Sequence, residues 1–383
     1  MTSFTVADHT YMTLALRLAE QGFYTTQPNP RVGCVIVKNN QIVGQGAHLK
    51  AGEPHAEVFA LREAGANAKD AVAYVTLEPC NHHGRTPPCV DALINAGVKR
   101  VVVAMQDPNP LVAGNGIKRL QENGIEVDVG LMEAESKSLN LGFISRMTSG
   151  MPYVRCKVAA SLDGRTALNN GKSLWITGEP ARLDVQYWRA QSCAIVTGIG
   201  TVLTDNPSMN VRLAKTSRQP LRVIVDSNLQ TPTDCKMLIP ELLSMSPVLI
   251  AYSQDTNHKA DLLTAVGAQL LYLPHENGRV DLQALLTNLG SRGVNEVLIE
   301  AGQGLNGAFL QAGLVDEFIF YYAPKLMGAD AKAMFAISAL VEMQQATELQ
   351  ILDVRQIGRD IRLRAKPVKN LSWPYADRYP LPS

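Results

Sequence analysis

One histidine and two cysteines near the N-terminus constrain the fold of this chain more than any other feature. His55 stands two residues before Glu57, and Cys80 and Cys89 follow an apolar, strand-like stretch. One imidazole and two thiolates can hold a zinc ion and leave its fourth position open. A shared zinc ion requires that the start of one helix, the turn after a strand and the start of the next helix meet at one point.

Glu57 favours a catalytic zinc site over a structural one. It stands where it can move protons, and the pattern H-x-E…P-C…C is typical of zinc-dependent deaminases of nucleobases and nucleotides. A structural site normally has four protein ligands. A fourth is conceivable because His82 and His83 are close in sequence. The pattern predicts hydrolytic removal of an amino group from a ring, with a structural zinc or a coincidental scatter of ligands as the alternatives.

The spacing of the two cysteines departs from the general deaminase pattern. Eight residues, 81–88, separate Cys80 from Cys89 where two are usual. The inserted segment is basic and polar, and such a loop beside the metal could bind a phosphate group of the substrate. An ordinary solvated loop is the alternative, since its glycine and prolines are common loop residues.

Composition excludes several classes of protein. The chain has 383 residues with 46% apolar and 19% charged residues, which is typical of a soluble globular protein with two domains. We find no signal peptide and no run long enough to span a bilayer, and six cysteines make no disulfide framework. A net charge of +1 with scattered Lys and Arg favours a small-molecule substrate over nucleic acid. We therefore expect a cytoplasmic protein without a membrane partner.

The order of predicted elements indicates two domains. A linking helix, about 133–147, ends at a Ser-Gly-Met-Pro segment, after which the alternation of strands and helices restarts. This predicts domains over residues 1–150 and 151–369, with a C-terminal tail over 370–383. Alternating strands and helices indicate a mostly parallel sheet covered on both faces, with later, antiparallel strands over 316–322 and 349–363.

Two glycine-containing turns in the second half could bind phosphate. The dinucleotide pattern G-x-G-x-x-G is absent, and the segment 198–203 has only its first two glycines. The segment 300–307 is the better phosphate loop, because it follows the apolar strand 297–299 and precedes a helix. Its glycines would let a pyrophosphate approach the backbone closely. A tight strand-to-helix turn without a ligand is the alternative.

Several longer segments carry a resemblance to a known family. Residues 25–33, 52–57 and 80–89 closely resemble the bifunctional riboflavin-biosynthesis deaminase/reductase family, and residues 157–166, 201–207 and 300–302 match its reductase half. The resemblance covers nearly the whole chain except the C-terminal tail. It implies an α/β protein with an N-terminal cytidine-deaminase-like domain and a C-terminal dihydrofolate-reductase-like domain.

The resemblance implies site residues for both halves. In the deaminase half it implies zinc bound by His55, Cys80 and Cys89, with Glu57 as the catalytic residue. Its implied contacts to the deaminase substrate are Asn29, His48 and His82. The implied contacts to NADPH are Ala159, Trp175, Thr201, Asp205, Ser227, Gly302, Gln303, Gly304, Leu305 and Asn306. The implied contacts to the reductase substrate are Ser173, Arg189, Met209, Arg212 and Glu300. A preference for NADPH over NADH is carried by the family alone.

The resemblance also implies the reaction sequence. Zinc-dependent hydrolytic deamination would convert 2,5-diamino-6-(5-phosphoribosylamino)pyrimidin-4(3H)-one to 5-amino-6-(5-phosphoribosylamino)uracil, and NADPH would then reduce the ribosyl chain to a ribityl chain. We also expect a homo-oligomer. Two other hypotheses are a nucleic-acid deaminase, which predicts a basic face, and a non-catalytic zinc-binding module. The second needs neither Glu57 nor a loop like residues 302–306, which we call the glycine loop.

Overall fold

The computed structural model describes residues 4–81, 87–110, 112–171, 176–214, 216 and 218–368. The predicted substrate contacts His82 and Ser173, the predicted cofactor contact Trp175 and the tail 370–383 lie outside the described residues. The chain divides into two compact units, residues 1–150 and residues 151–383.

The first unit is a five-stranded sheet with helices packed against it. The strand order is β2-β1-β3-β4-β5; β1 pairs antiparallel with β2 and β3, and β3, β4 and β5 are parallel. The strands are β1 (Gly33–Lys38), β2 (Gln41–Ala47), β3 (Val72–Val75), β4 (Arg100–Val103) and β5 (Glu126–Val129). The helices are α1 (Val6–Glu20), α2 (Ala56–Ala64), α3 (Cys89–Ala96), α4 (Asn115–Glu122), α5 (Glu133–Leu139) and α6 (Leu141–Ser149).

Two glycines of β2 allow helix α2 to lie directly on the sheet. A Cβ atom on Gly44 would come within 2.1 Å of the Ala60 carbonyl oxygen, and one on Gly46 within 2.3 Å of the Ala56 carbonyl oxygen. Any larger residue would push α2 outward. Because His55 caps the N-terminus of this helix, the close packing fixes where the first predicted metal ligand lies.

The predicted linking helix is two helices. Asn140 ends α5 and begins α6, and its side chain is bonded to the backbone of Arg31. The Asn140 carboxamide oxygen accepts from the Arg31 N–H at 2.8 Å, and its nitrogen donates to the Arg31 carbonyl at 3.0 Å. The backbone at Asn140 is not helical, with a φ of −121° and a ψ of 23°, and periodicity along the helix could not reveal this break.

The second unit is a nine-stranded, mostly parallel sheet in the order β11-β10-β9-β8-β12-β6-β13-β16-β15. Its strands, together with the separate pair β7 and β14, are β6 (Tyr153–Ser161), β7 (Arg165–Ala167), β8 (Ala194–Gly198), β9 (Leu221–Val225), β10 (Val248–Tyr252), β11 (Gln269–Tyr272), β12 (Glu296–Ile299), β13 (Glu317–Ala323), β14 (Lys332–Ala333), β15 (Leu349–Ile357) and β16 (Asp360–Pro367). The helices are α7 (Glu179–Gln191), α8 (Ile199–Asp205), α9 (Pro240–Met245), α10 (Ala260–Ala265), α11 (Leu282–Ser291) and α12 (Gln303–Gln311).

The late strands differ from the sequence prediction in two ways. β13 is parallel to β6 and antiparallel only to β16, so the antiparallel part of the sheet begins one strand later than expected. The predicted strand 349–363 is a hairpin, because Gly358 has a φ of +61° and turns the chain back between β15 and β16. A left-handed glycine at this point breaks what periodicity alone suggests is one long strand.

The centre of this sheet is buried on both faces. The β12 side chains of Val297, Leu298 and Ile299 are fully buried, as expected for a central parallel strand. The carboxyl ends of such strands meet at one edge of the sheet, where α/β proteins usually bind their ligands. Among the described residues, no helix combines the length and the apolar character that crossing a bilayer requires.

Candidate functional site

The three predicted metal ligands meet in the first unit. His55 caps α2, Cys80 follows β3 and Cys89 is the first residue of α3, and their ligand atoms all lie within 4.8 Å of one another. The His55 Nδ1 atom is 3.2 Å from the Cys89 sulfur and 3.5 Å from the Cys80 sulfur. These separations allow all three atoms to ligate one ion.

The two thiols differ in how readily they ionise, because the hydrogen bond to Cys80 and burial raise the pKa of Cys89. A hydrogen bond from Cys89 lowers the pKa of Cys80, so Cys80 takes the thiolate form readily. The backbone N–H of Cys89 also donates to the Cys80 sulfur at 3.3 Å. Thiolates are the metal-binding form of cysteine, and one imidazole with two thiolates suits zinc rather than magnesium or calcium.

Glu57 has an oxygen that no protein atom satisfies. Its side chain is 3% exposed, and the buried Oε2 has no hydrogen-bond partner. A buried unpaired carboxylate oxygen is costly and indicates that a ligand completes it. Burial, with a contribution from the Cys80 charge, raises the pKa of Glu57 to about 7. A carboxyl group with that pKa can accept and release a proton near neutral pH.

Asn29 and His48 lie beside this cluster. The Asn29 Nδ2 atom is 3.1 Å from Nε2 of His48, whose Nδ1 is 3.2 Å from the Pro54 carbonyl oxygen. Because that carbonyl can only accept, the proton belongs on Nδ1 and leaves Nε2 as an acceptor for the amide. The His48 ring meets the His55 ring edge-on at 5.2 Å, and burial lowers the pKa of His48. The neutral imidazole thus orients Asn29 at the site.

Glu78 is a supporting residue that sequence reasoning missed. Its buried carboxylate accepts four backbone N–H groups of the segment 107–117 at 2.9 to 3.3 Å. Through these bonds Glu78 anchors the segment that leads into α4. Glu78 itself stands two residues before the ligand Cys80 in the sequence. The only signal in the sequence was an acidic residue between an apolar strand and Pro79-Cys80.

A large cavity lies at the carboxyl ends of the strands in the second unit. Its volume is about 1640 Å³, above the range of about 300–1,000 Å³ typical of a single small ligand, so it can hold a cofactor and a substrate together. The predicted residues that line it are Ala159, Arg189, Thr201, Asp205, Met209, Arg212, Ser227, Glu300, Gly302, Gln303, Gly304 and Leu305.

Asn306 is the one described member of the predicted set that does not line the cavity. It is 1% exposed, and its Nδ2 donates to the carbonyl oxygens of Ala301 at 3.1 Å and Met334 at 3.4 Å. The side chain therefore holds the glycine loop in place from beneath. Its Oδ1 atom is buried without a hydrogen-bond partner, and its contact with the cofactor stays a prediction.

Glu300 is the centre of a buried charge cluster in the cavity wall. Arg189 donates to its two oxygens at 2.6 and 3.0 Å, and the Lys157 Nζ lies 3.0 Å away. Burial acts to raise the pKa of Glu300, but the charges of Arg189 and Lys157 outweigh it and bring the value to about 2. Glu300 is therefore an ionised acceptor, and Arg189 is largely occupied by it.

Arg212 is the freer of the two predicted phosphate-binding arginines. Its guanidinium makes long contacts of 3.4 Å to Ser208 and 3.5 Å to Asn210. Burial lowers its pKa, and the neighbouring charge of Arg189 contributes. A bound anion would offset both the burial of the Arg212 charge and its repulsion by Arg189. Arg212 therefore suits a substrate phosphate better than Arg189 does.

The glycine loop fits a phosphate-containing cofactor. A Cβ atom on Gly304 would meet nothing within 4 Å, and one on Gly302 would meet only the Thr201 hydroxyl at 4.0 Å. Both glycines line the cavity, so the space beside their backbone is open to a ligand. Gly307 is different, since its Cβ would lie 2.1 Å from the Ala336 carbonyl oxygen and its role is packing.

Comparison with known proteins assigns the chain to a family. Residues 5–105 match the cytidine and deoxycytidylate deaminase zinc-binding region, and residues 152–363 match the RibD C-terminal domain. The riboflavin biosynthesis protein RibD of Escherichia coli K12 is 48% identical over 369 residues, which cover 93% of this chain and 98% of that protein. The chain belongs to the RibD family. The structure of Acinetobacter baumannii RibD, form 1, has a TM-score of 0.88 at 49% identity and covers 95% of this chain and 99% of that one.

A second solved structure, from Thermotoga maritima, connects the fold to two activities. It is a diaminohydroxyphosphoribosylaminopyrimidine deaminase/5-amino-6-(5-phosphoribosylamino)uracil reductase, 31% identical with a TM-score of 0.81, covering 94% of this chain and 99% of that one. The predicted fold class, a cytidine-deaminase-like domain followed by a dihydrofolate-reductase-like domain, is confirmed. The chain is a bifunctional, zinc-dependent deaminase and reductase of riboflavin biosynthesis.

Proposed function

We propose that the unit of residues 1–150 deaminates 2,5-diamino-6-(5-phosphoribosylamino)pyrimidin-4(3H)-one and that the unit of residues 151–383 then reduces the product with NADPH. The observation that carries the first assignment is the unpaired, buried Glu57 oxygen beside three convergent metal ligands. The second rests on a cavity large enough for two ligands, with an ionised Glu300 in its wall.

Deamination requires a nucleophile, a proton carrier and an oriented ring. Zinc bound by His55, Cys80 and Cys89 would lower the pKa of a water to about 7. Glu57 would take the first proton of the attacking water and deliver it to the ring nitrogen, and would then carry the second proton from the new hydroxyl group to the amino group, which departs as ammonia. Asn29, held by His48 at 3.1 Å, has an amide that can hydrogen-bond the ring.

The segment between the two cysteines keeps its proposed role in phosphate binding. This proposal rests on the charge and polarity of the segment and that for His82 on the family resemblance, since residues 82–86 lie outside the described residues. Ser173 and Trp175, which also lie outside the described residues, remain proposed contacts in the reductase half on the basis of the family resemblance.

Reduction of the ribosyl chain requires a hydride at its first carbon and a proton at the ring oxygen. NADPH supplies the hydride when it is bound along the glycine loop. The ionised Glu300 can accept hydrogen bonds from sugar hydroxyl groups. Lys157 has three N–H donors, one of which is used on Glu300 at 3.0 Å, and can donate to the oxygen as the ring opens. Arg212 would bind the substrate phosphate.

Replacing Gly302 with valine should weaken NADPH binding without unfolding the protein. No protein atom lies closer than 4.0 Å to the new Cβ, so the side chain would fill the cavity instead of the core. We expect about 10- to 100-fold weaker binding, since steric overpacking costs about 1–3 kcal/mol. Gly302→Ala should have a smaller effect.

The test of Gly302→Val is a fluorescence titration with NADPH and an ammonia-release assay on the same preparation. Deamination should be unchanged. If the variant binds NADPH as tightly as the parent, the cofactor lies elsewhere in the cavity.

We also propose that the enzyme works in the cytoplasm, on a small-molecule substrate, as a homo-oligomer. β15 is an edge strand of the sheet and exposes Ile351 at 60% and Val354 at 57%. An apolar edge strand pairs readily with another chain. A second copy presenting the same edge would cover both residues, and sedimentation of the purified protein measures the state directly.

Cutting the chain near Gly150 tests the assignment of activities to units. We expect the N-terminal piece to bind zinc and release ammonia, and the C-terminal piece to bind NADPH and reduce deaminated substrate. Each piece has its own sheet and its own buried core. Two pieces that are insoluble alone but soluble when expressed together would contradict the assignment of independent domains.

A further inference from the structure

Most cations that line the reductase cavity already have partners. Lys157 and Arg189 contact Glu300, and Arg182 donates to a backbone carbonyl at 2.7 Å. Arg279 also lines the cavity, yet its guanidinium makes no ion pair or hydrogen bond with the described residues. An unengaged guanidinium in the wall of a ligand cavity is available for an anion.

The backbone that carries Arg279 is held in a fixed turn after β11. The His275 N–H donates to the Arg279 carbonyl at 2.9 Å, and the Gly278 N–H donates to the His275 carbonyl at 2.9 Å. Gly278 has a φ of +69°, and the Arg279 N–H donates to the Asn277 side chain at 3.0 Å. Only the arginine side chain would have to be ordered on binding, which limits the entropy cost.

The sheet order determines which end of a dinucleotide reaches this turn. The loops after β8 and β12 face each other, with the Gly302 Cβ position 4.0 Å from the Thr201 hydroxyl. Glu300 and Lys157, which serve the reaction, lie on the β12 and β6 side. We place the pyrophosphate of the cofactor at the glycine loop and its nicotinamide near Glu300. The adenosine half must then extend over the ends of β9, β10 and β11.

Contacts across these strand ends place the turn of Arg279 beside Ser227. The Gln254 N–H, after β10, donates to the Ser227 carbonyl at 2.8 Å. The Gln254 side-chain nitrogen lies 3.2 Å from the Cβ position of Gly278. Lys332, the other cavity cation without a partner among the described residues, lies on β14, which pairs with β7 instead.

Two carboxylates that line the cavity on this side, Asp281 and Asp226, accept hydrogen bonds from other residues. Asp281 accepts the Ala284 N–H at 2.9 Å as the cap of α11. Asp226 is 1% exposed and accepts from both the backbone and the hydroxyl of Thr231. Among the described residues neither carboxylate forms an ion pair with Arg279, although the buried Oδ1 atom of Asp226 has no hydrogen-bond partner.

We propose that Arg279 binds the 2′-phosphate of NADPH and so makes this enzyme discriminate NADPH from NADH. The two cofactors differ only in that phosphate on the adenosine ribose. A guanidinium donates two parallel hydrogen bonds to a phosphate. The inference rests on the proposed NADPH-dependent reduction and names the residue that sets its cofactor specificity.

The test is the binding of four ligands to Arg279→Ala by calorimetry: NADPH, NADH, adenosine 2′,5′-bisphosphate and 5′-AMP. We expect NADPH and the bisphosphate to bind about 10- to 100-fold more weakly, because a hydrogen bond to a charged group contributes about 1.5–3 kcal/mol. NADH and 5′-AMP should bind as they do to the parent. Arg279→Lys should recover part of the difference.

Arg292→Ala is the matched control, since Arg292 is an exposed arginine of the same unit that contacts Asn288 and Gln269 outside the cavity. It should leave all four affinities unchanged. Equal weakening of NADPH and NADH by Arg279→Ala, or no weakening of either, would overturn the proposal while leaving the reductase function intact. A parent protein that binds neither dinucleotide would overturn the proposed function itself.

Discussion

Glu57→Gln is expected to keep its zinc and to lose deamination by about 10²-fold or more, the contribution of a general acid–base group. The amide is nearly the same size as the carboxylate, which matters at a position only 3% exposed. It cannot accept a proton from the attacking water. The metal ligands are untouched, so metal content should remain at the level of the parent.

The measurement is ammonia release and zinc content on the same preparation. Glu63→Gln is the matched control, because Glu63 lies on the exposed side of the same helix and an amide there still accepts the Gln45 N–H. The control should deaminate normally. Near-normal turnover by Glu57→Gln with zinc retained would remove Glu57 from the proton-transfer role.

Cys89→Ala is expected to strip the metal and abolish deamination, and Cys80→Ala should do the same. With either change only two of the three converging ligands remain within 4.8 Å. Reduction of substrate that has already been deaminated should largely survive, because the second unit has its own core. Zinc per chain by mass spectrometry, with both activities, is the readout.

Cys34→Ala separates metal loss from damage to packing. Cys34 is fully buried on β1 and is not part of the ligand cluster, so its variant should hold one zinc per chain even if it is less stable. A Cys89→Ala protein that still held one zinc per chain would show that the ligand set is wrong. Loss of reduction in a folded variant would show coupling between the two activities.

The zinc cluster could be predicted from sequence because its ligands lie on short elements whose geometry is locally determined. One ligand is a histidine at the start of a helix, and another is a cysteine that follows a neighbouring strand. Both positions lie at the same edge of a sheet. The family resemblance supplied Asn29 and His48, which lie far from the cysteines in sequence. It could not show that His48 holds Asn29 through a specific tautomer, because that depends on the Pro54 carbonyl.

The missed features depend on contacts between distant segments. The linking helix breaks at Asn140, whose side chain pairs with the backbone of Arg31 more than a hundred residues earlier. Glu78 anchors a segment about thirty residues later. The side chain of Asn306 donates to the carbonyl oxygens of Ala301 and Met334, a contact that the sequence of the glycine loop did not reveal. No local pattern carries such information.

The most direct test of the account is to incubate the purified protein with the diaminopyrimidinone phosphate, with and without NADPH, and to identify the products by mass. Without NADPH, we predict ammonia release and a product in which an oxo group replaces one amino group. With NADPH, that product should gain two hydrogens as the ribosyl chain becomes a ribityl chain. Consumption of NADPH with the amino group retained, or an unchanged substrate in both reactions, would contradict the account.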